Sequence, residues 1–374
     1  MTSPTEPPAA APDAAPPTEP TGPPDEPPRT SRFGKVVVAL ALLVAIIGVA
    51  GARITLPYVI FSPGDATPVD DYMKIADTRT YHHSGSLLLL TVRVSNGRPN
   101  VWRFLQASLD DDTQVEGEKD VYGTTPRKTA DRQDVQQMQE SQLAARQAAL
   151  TRLGYTVKVT GKGADVQDVL AGSPAATAGL RVGDVITSID GQPVHLTDDV
   201  GTIVRAKPVG TQFSVVARRD GRDVTLPITT AAAPDGPLQG KPYLGIKAGT
   251  DGLDVHFPID IKIAVGDVSG PSGGLAFALT IIDDLTPGNL TGGKTVAVTG
   301  TIQGDGTVGA VGGVPQKAVA ARRAGAKLMI VPRDEVRDAR TKAGDMKVVG
   351  VTTLDQALTA LRAAGGAAIP PRAA

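Results

Sequence analysis

The sequence predicts an α/β (α+β) protein of several domains behind a single N-terminal transmembrane helix. Three observations carry this prediction. Val36 to Ala52 is a run of seventeen residues without a charge. Strand-like and helix-like segments alternate through the last third of the chain. A length of 374 residues exceeds what one hydrophobic core usually organises, so two or three domains are expected. The net charge of −1 advertises no broad basic surface, and aromatics at 3% leave few platforms for stacked bases, so nucleic acid is not an expected partner. The absence of cysteine excludes disulfides, thiolate catalysis and Cys-based zinc sites. His82-His83 and His195 lack metal-ligand spacing, and no metal or cofactor is expected.

Residues 1–34 form a Pro-rich tail; eleven of the thirty prolines lie in the first 30 residues. It has too little apolar surface to offset ordering entropy and reads as disordered. Residues 35–53 read as the anchor, just long enough to span a bilayer at 1.5 Å per residue with apolar flanks such as Ile54 and Leu56. Arg29, Arg32 and Lys35 precede it and only Arg53 follows, which places the N-terminus in the cytoplasm and the remainder outside. Ala50-Gly51-Ala52 also fits a signal-peptide cleavage pattern, and either reading exports the bulk of the protein.

Residues 54–153 read as a mixed α/β juxtamembrane region without assigned chemistry. Leu87 to Val94 is β-like, and Val101 to Leu109 fits a strand or a short helix. Thr129 can cap a helix running to Leu153, with Gly154 as its stop. Residues 154–231 form a second region: the strand Ala164–Leu170, the turn Gly172-Ser173-Pro174, then Gly183-Asp184-Val185-Ile186 and Ile189-Asp190-Gly191. Residues 232–244 read as a linker, 245–366 as the last domain and 367–374 as a tail. Within that domain Val296–Gln303 and Thr307–Val311 suggest a hairpin across Gly304-Asp305-Gly306. Pro315 to Ala324 reads as a helix stopped by Gly325, Leu328–Val331 and Lys347–Val351 as strands, and Thr353 with Gln356 as a capping box.

Two short segments in the last domain bear on chemistry. Gly270-Pro271-Ser272-Gly273-Gly274 runs into the apolar stretch Leu275–Leu279. Gly312-Gly313-Val314-Pro315-Gln316-Lys317 lies 45 residues further on, counted from Ser272 to Lys317. Each reads as a loop feeding a helix N-terminus. Serine is a poor nucleophile until an adjacent base takes its proton, and a neutral lysine amine can do so. The first turn of a helix and the following Ala318-Val319-Ala320-Ala321 both disfavour a charged amine at Lys317. The plainer alternatives are a helix cap for Ser272 and a surface lysine for Lys317. A rival triad of Ser272, His256 and Asp267 ranks below the pair. Gly288 to Thr295 formally matches a phosphate-binding loop, but it follows a helix and opens a strand, the reverse of what phosphate binding requires.

The stretch from His256 to Pro332 resembles the proteolytic domain of Lon-type serine peptidases. The resemblance rests on Gly270-Pro271-Ser272-Gly273-Gly274, on Val298-Thr299-Gly300, and on Gly312-Gly313 with Lys317 and Ala320-Ala321-Arg322-Arg323-Ala324-Gly325. It implies Ser272 as nucleophile and Lys317 as general base, supported by Thr299, Gly270 and Gly273. It also implies a homo-oligomer, because such domains frequently assemble as rings. Ser269 and Thr301 depart from the pattern, standing where many members carry an acid. Residues 154–231 are similar to the PDZ domains of bacterial envelope proteases, which implies a β-sandwich or barrel with helices that captures extended peptides, ahead of an α+β proteolytic domain. By position, Gly163, Ala164, Asp165 and Val166 would form its carboxylate loop, although Asp165 would repel a carboxylate. No unfoldase motor is legible. The resulting expectation is an ATP-independent, membrane-anchored serine endopeptidase with a Ser–Lys dyad, acting on protein or peptide substrates of the cell envelope. The alternative is a non-catalytic PDZ-containing adaptor that only binds peptides.

Overall fold

The computed structural model describes residues 32–234, 238–266 and 268–369. The tail expected over 1–34 lies outside them as far as residue 31, as does most of the expected C-terminal tail. The chain divides into two compact units. One holds helix α1 (Arg32–Arg53), Thr55 and Asn100–Trp102. The α1 side chains stand exposed all round, Leu40 at 60% and Ile46 at 63%, and none of its apolar window is buried. A helix apolar on every side is stable only when something other than water surrounds it. The Trp102 indole donates to the Gly48 carbonyl at 2.9 Å.

The second unit begins with β1 (Tyr58–Pro68), β2 (Met73–Ile75) and β3 (Ser86–Val94). Val101–Leu109 forms a helix, α2, and β4 (Gln114–Gly117), α3 (Glu118–Tyr122) and α4 (Arg127–Arg152) follow. Helix α4 starts behind Pro126 rather than at a Thr129 cap, and Gly154 at φ +90° ends it where expected.

A smaller sheet comes next. Its elements are β5 (Lys158–Thr160), β6 (Gly163–Val169), α5 (Pro174–Thr177), β7 (Val185–Ile189), β8 (Gln192–Pro193), α6 (Thr197–Arg205), β9 (Gln212–Arg219), β10 (Arg222–Thr229), β11 (Ala231–Ala232), β12 (Pro242–Tyr243) and β13 (Ile246–Asp251). The strand order is β10-β9-β7-β6-β13, over a core that includes Val166, Ile186, Ile189, Phe213 and Ile228. Asp184 of the Gly-Asp motif is buried and accepts both Arg219 Nε and Nη2 at 2.7 Å. Its role is to close this core.

The last third contributes β14 (Asp254–His256), β15 (Ile261–Ile263), α7 (Gly274–Leu285), β16 (Thr295–Val298), β17 (Thr301–Ile302), β18 (Val308–Gly309), α8 (Val314–Arg323), β19 (Leu328–Pro332), α9 (Val336–Arg340), β20 (Lys347–Val351) and α10 (Leu354–Ala363). The main sheet has the order β20-β19-β16-β3-β1-β4 and joins both ends of the chain. Leu87, Leu88, Leu89 and Leu90 on β3 are all buried. Four successive buried leucines mark a strand covered on both faces. Leu87 and Leu89 pack in the core of α4, α7 and α10, whereas Leu88 and Leu90 pack with Val314, Ala318 and Ala321 of α8.

This sheet redraws the expected domain division. Residues 54–153 are no separate juxtamembrane region, because β3 pairs in parallel with β16, Leu87 opposite Val296 and Leu89 opposite Val298. The expected linker and the start of the last domain are redrawn too: β13 closes the smaller sheet against β6. The smaller sheet is thus an insertion between α4 and β14, and the antiparallel β5–β14 pair forms its neck.

Candidate active site

Ser272 sits in a 3-10 turn, Pro271–Gly273, that leads directly into α7. Gly270 enters the turn at φ +84°, a conformation costly for other residues. A Cβ on Gly273 would meet Leu89 Cδ1 at 2.7 Å, so glycine lets the turn lie against the sheet. The helix cap is Gly273 and no side chain bonds there, so the Ser272 hydroxyl does not serve as the cap. Four hydrogen bonds fix the turn. Gly270 N–H donates to Asp134 O at 3.0 Å, and Ser141 Oγ donates to Pro271 O at 2.8 Å. Ser272 O accepts Gly300 N–H at 3.0 Å and Thr299 Oγ1 at 3.3 Å.

Thr299 occupies a break in the expected hairpin. Strand β16 stops at Val298, and the short β17–β18 pair is a separate ladder. Thr299 N–H still reaches Ile330 O at 3.0 Å, after which Gly300 turns its N–H to Ser272. The strand ends there because its next backbone groups bond to the serine turn instead of to β19.

Lys317 lies in the first turns of α8, and its backbone N–H closes on Gly313 O. Its side chain is 3% exposed, and Nζ donates to the fully buried Thr299 Oγ1 at 3.2 Å. Burial pushes the amine down to about 8, against a smaller upward pull from Glu335. Poor solvation penalises the charged form, so a usable fraction of this amine is neutral at mildly alkaline pH. Ser272 and Lys317 share a cleft of ≈ 900 Å³ with Gly270, Gly273, Gly312 and Gly313. Its apolar wall includes Tyr72, Leu89, Val92, Met138 and Val268. Among the described residues Ser272 Oγ and Lys317 Nζ make no direct hydrogen bond; Thr299 bridges the amine to the serine turn. Catalytic hydrogen bonds commonly tighten only when substrate is bound.

His256 is exposed at the end of β14 and does not line the cleft, and Asp267 lies outside the described residues. The Gly288–Thr295 loop leaves α7 and opens β16, as the sequence predicts, and Lys294 Nζ donates to Ala364 O. Among the described residues no three His, Asp or Glu side chains are grouped to hold a metal.

The peptide loop expected at Gly163, Ala164, Asp165 and Val166 is corrected. These residues lie in β6, which pairs with β7 on one side and β13 on the other, so no edge remains for an added strand. The sheet ends at β13 instead. A groove of ≈ 700 Å³ lies beside it, lined by Val200, Gly201 and Val204 of α6 and by Tyr243, Leu244 and Gly245. The Leu244 and Gly245 carbonyls accept Ala175 and Leu170 N–H groups, both at 2.9 Å. A planar trans peptide then turns the N–H groups of Gly245 and Ile246 away from those two donors. The sequence reading split this loop between the linker, which ended at Leu244, and the last domain, which began at Gly245, although Leu244-Gly245 before the alternating Ile246 and Ala248 marks a turn feeding a strand. Asp134, Met138 and Ser141 of α4 left no local signal, since their place at the serine turn depends on the sheet.

Comparison with known proteins agrees with this architecture. Residues 151–230 match the model of the PDZ domain, and residues 248–362 match that of the Lon protease (S16) C-terminal proteolytic domain. The chain therefore carries a PDZ domain followed by a Lon-type proteolytic domain. It is 33% identical over 107 residues to a probable periplasmic serine endoprotease DegP-like of Pseudomonas putida, covering 29% of this chain and 22% of that one. It is 42% identical over 86 residues to the magnetosome formation protease MamE of Paramagnetospirillum magneticum, covering 21% and 12%. It is 33% identical over 108 residues to the Lon protease of Rickettsia felis, covering 27% and 14%. The chain thus spans less than a quarter of the length of these relatives. Among solved structures, the PDZ domain of an SdrC-like protein from Listeria monocytogenes matches at 30% identity and a TM-score of 0.22, covering 24% of this chain and 92% of that one.

Proposed function

We propose that this protein is a membrane-anchored serine endopeptidase that uses Ser272 and Lys317 without nucleotide. The observation that carries the reading is a buried amine, lowered to about 8, joined through Thr299 to the serine turn in one cleft. Neutral Lys317 takes the Ser272 hydroxyl proton as the oxygen attacks the scissile carbonyl. Backbone N–H groups at Ser272 and Gly273, at the positive end of α7, receive the oxyanion. The ammonium of Lys317 then passes its proton to the leaving amine, and water repeats the cycle on the acyl-enzyme. Helix α1 would span the membrane with its basic flank inside, leaving both domains outside. The PDZ groove between β13 and α6 would take an extended peptide segment as an added strand and so select substrates.

The test is labelling of the full chain in detergent with a fluorophosphonate serine probe, followed by cleavage of an unfolded protein. Labelling and cleavage that disappear in Ser272→Ala and Lys317→Ala support the reading. Binding of peptides without labelling or cleavage would identify an adaptor instead.

A further inference from the structure

Glu335 lies in the 3-10 turn Arg333–Glu335 that leaves β19. Its Oε1 accepts the Val311 N–H at 2.6 Å, while its Oε2 is buried and has no hydrogen-bond partner. An unpaired carboxylate oxygen in the interior is costly and calls for a reason. Val311 belongs to the loop Ala310–Gly313, which lines the cleft beside Ser272 and starts the lysine helix. One carboxylate thus holds the loop that positions Lys317, and its charge, where ionised, opposes loss of the amine's proton. We infer that Glu335 is a positioning residue for Lys317: its carboxylate fixes the Ala310–Gly313 loop and electrostatically retains the proton of the buried amine. This rests on the reading of Lys317 as the base.

Among the described residues, the other charges near Lys317 have partners or lie away from it. Arg322 and Arg323 of its own helix are exposed, and Arg323 is paired with Asp112 at 2.8 Å. From β1 and β3, Asp65 and Arg93 are paired with each other at 3.0 Å and largely exposed. Asp134 of α4 also lines the cleft. Asp334 and Asp338, beside Glu335, act on that carboxylate, and Glu335 is the charge that acts on Lys317.

The test is the pH dependence of peptide cleavage by the full chain in detergent, for wild type, Glu335→Gln, Glu335→Ala and Lys317→Arg. Glu335→Gln keeps the acceptor for Val311 N–H and removes the charge. Its acid limb, near pH 8 in wild type, should move down by about one unit, the lower end of what a neighbouring opposite charge imposes. Activity at pH 6.5 relative to pH 9 then rises about sevenfold. Glu335→Ala should show the same displacement together with a several-fold loss of kcat at the plateau, since the loop loses its anchor. Thermal melting identifies an unfolded Glu335→Ala, in which case the near-isosteric Glu335→Gln decides. A wild-type limb that Glu335→Gln leaves unmoved overturns the inference while the Ser–Lys reading stands. An active Lys317→Arg, or a wild-type profile without the limb, overturns the reading itself.

Discussion

In the proposed mechanism, burial of Lys317 serves catalysis and costs stability, two opposite demands. An amine held at about 8 when folded and 10.5 when unfolded is protonated less readily in the folded state. Between these values the unfolded chain binds more protons, so wild-type stability rises with pH across that window, and below pH 8 the full penalty applies. Lys317→Met should therefore be inactive yet more stable at pH 7, by up to about 3 kcal/mol, with the gain shrinking towards pH 10.5. Lys317→Arg keeps a permanent charge in the same place and should be inactive without that gain. Denaturant melts at pH 7 and pH 10 measure this, and a destabilised Lys317→Met would contradict it. Asp284, at the far end of α7, makes the opposite case. Burial first, then Asp70 and Asp283, raise its carboxyl to about 7. A raised carboxyl contributes stability at low pH that is lost as pH climbs through 7. Asp284→Asn should thus stabilise by roughly 1–2 kcal/mol at pH 8, discounted for partial solvation, and by little at pH 4. Equal effects at both pH values would exclude a titrating origin.

At the scale of elements, the serine turn is made by its neighbours more than by its own sequence. Helix α4 supplies Ser141 and the Asp134 carbonyl, and the interrupted β16 supplies Gly300 and Thr299. A close-packed interior transmits small displacements, so each of these elements fixes where Ser272 stands. The PDZ groove depends in the same way on two elements, the edge β13 and helix α6. Gly201 lines it from α6, and there a larger side chain would meet the flexible end of Arg205. Gly201→Trp should fill the groove, abolish binding of an extended peptide in fluorescence polarisation, and leave cleavage of a short fluorogenic peptide within about twofold. Unchanged peptide binding would place the ligand elsewhere on the domain.

For the whole molecule, the mixed sheet makes residues near either end of the described chain interdependent. A fragment confined to residues 248–362 lacks β3, β1 and α4, and its β16 would expose the edge that pairs with Leu87–Leu89. Such an edge together with an uncovered apolar helix face favours aggregation. The inserted PDZ domain is different, because its two connections already run side by side at Thr160 and Asp254. Joining these residues through a two-residue Asn-Gly turn, with 161–253 removed, should give a folded body that still labels at the serine. The fragment 248–362 should fail to fold under the same conditions. Circular dichroism, melting and probe labelling compare the two; a well-folded, labelled 248–362 fragment would show that the N-terminal strands are dispensable.

Resemblance to known families supplied the order of the two domains, and local chemistry was enough to find the apolar helix and the paired Ser272 and Lys317 segments. These are properties of short windows: hydropathy over a membrane's thickness, glycine next to a helix start, periodicity of two or 3.6 residues. The four leucines of β3 were legible as a strand, but not their partner, since a parallel neighbour is set by sheet packing and carries no local mark. The tertiary structure alone decided that residues 54–153 share a sheet with the last third of the chain, that β6 is enclosed while β13 is the edge, and that Ser141 reaches the serine turn and Glu335 the Ala310–Gly313 loop. Which edge is free, and which distant side chain reaches a turn, depend on contacts between residues over a hundred positions apart, such as Ser141 and Pro271, and those exist only once the chain has packed.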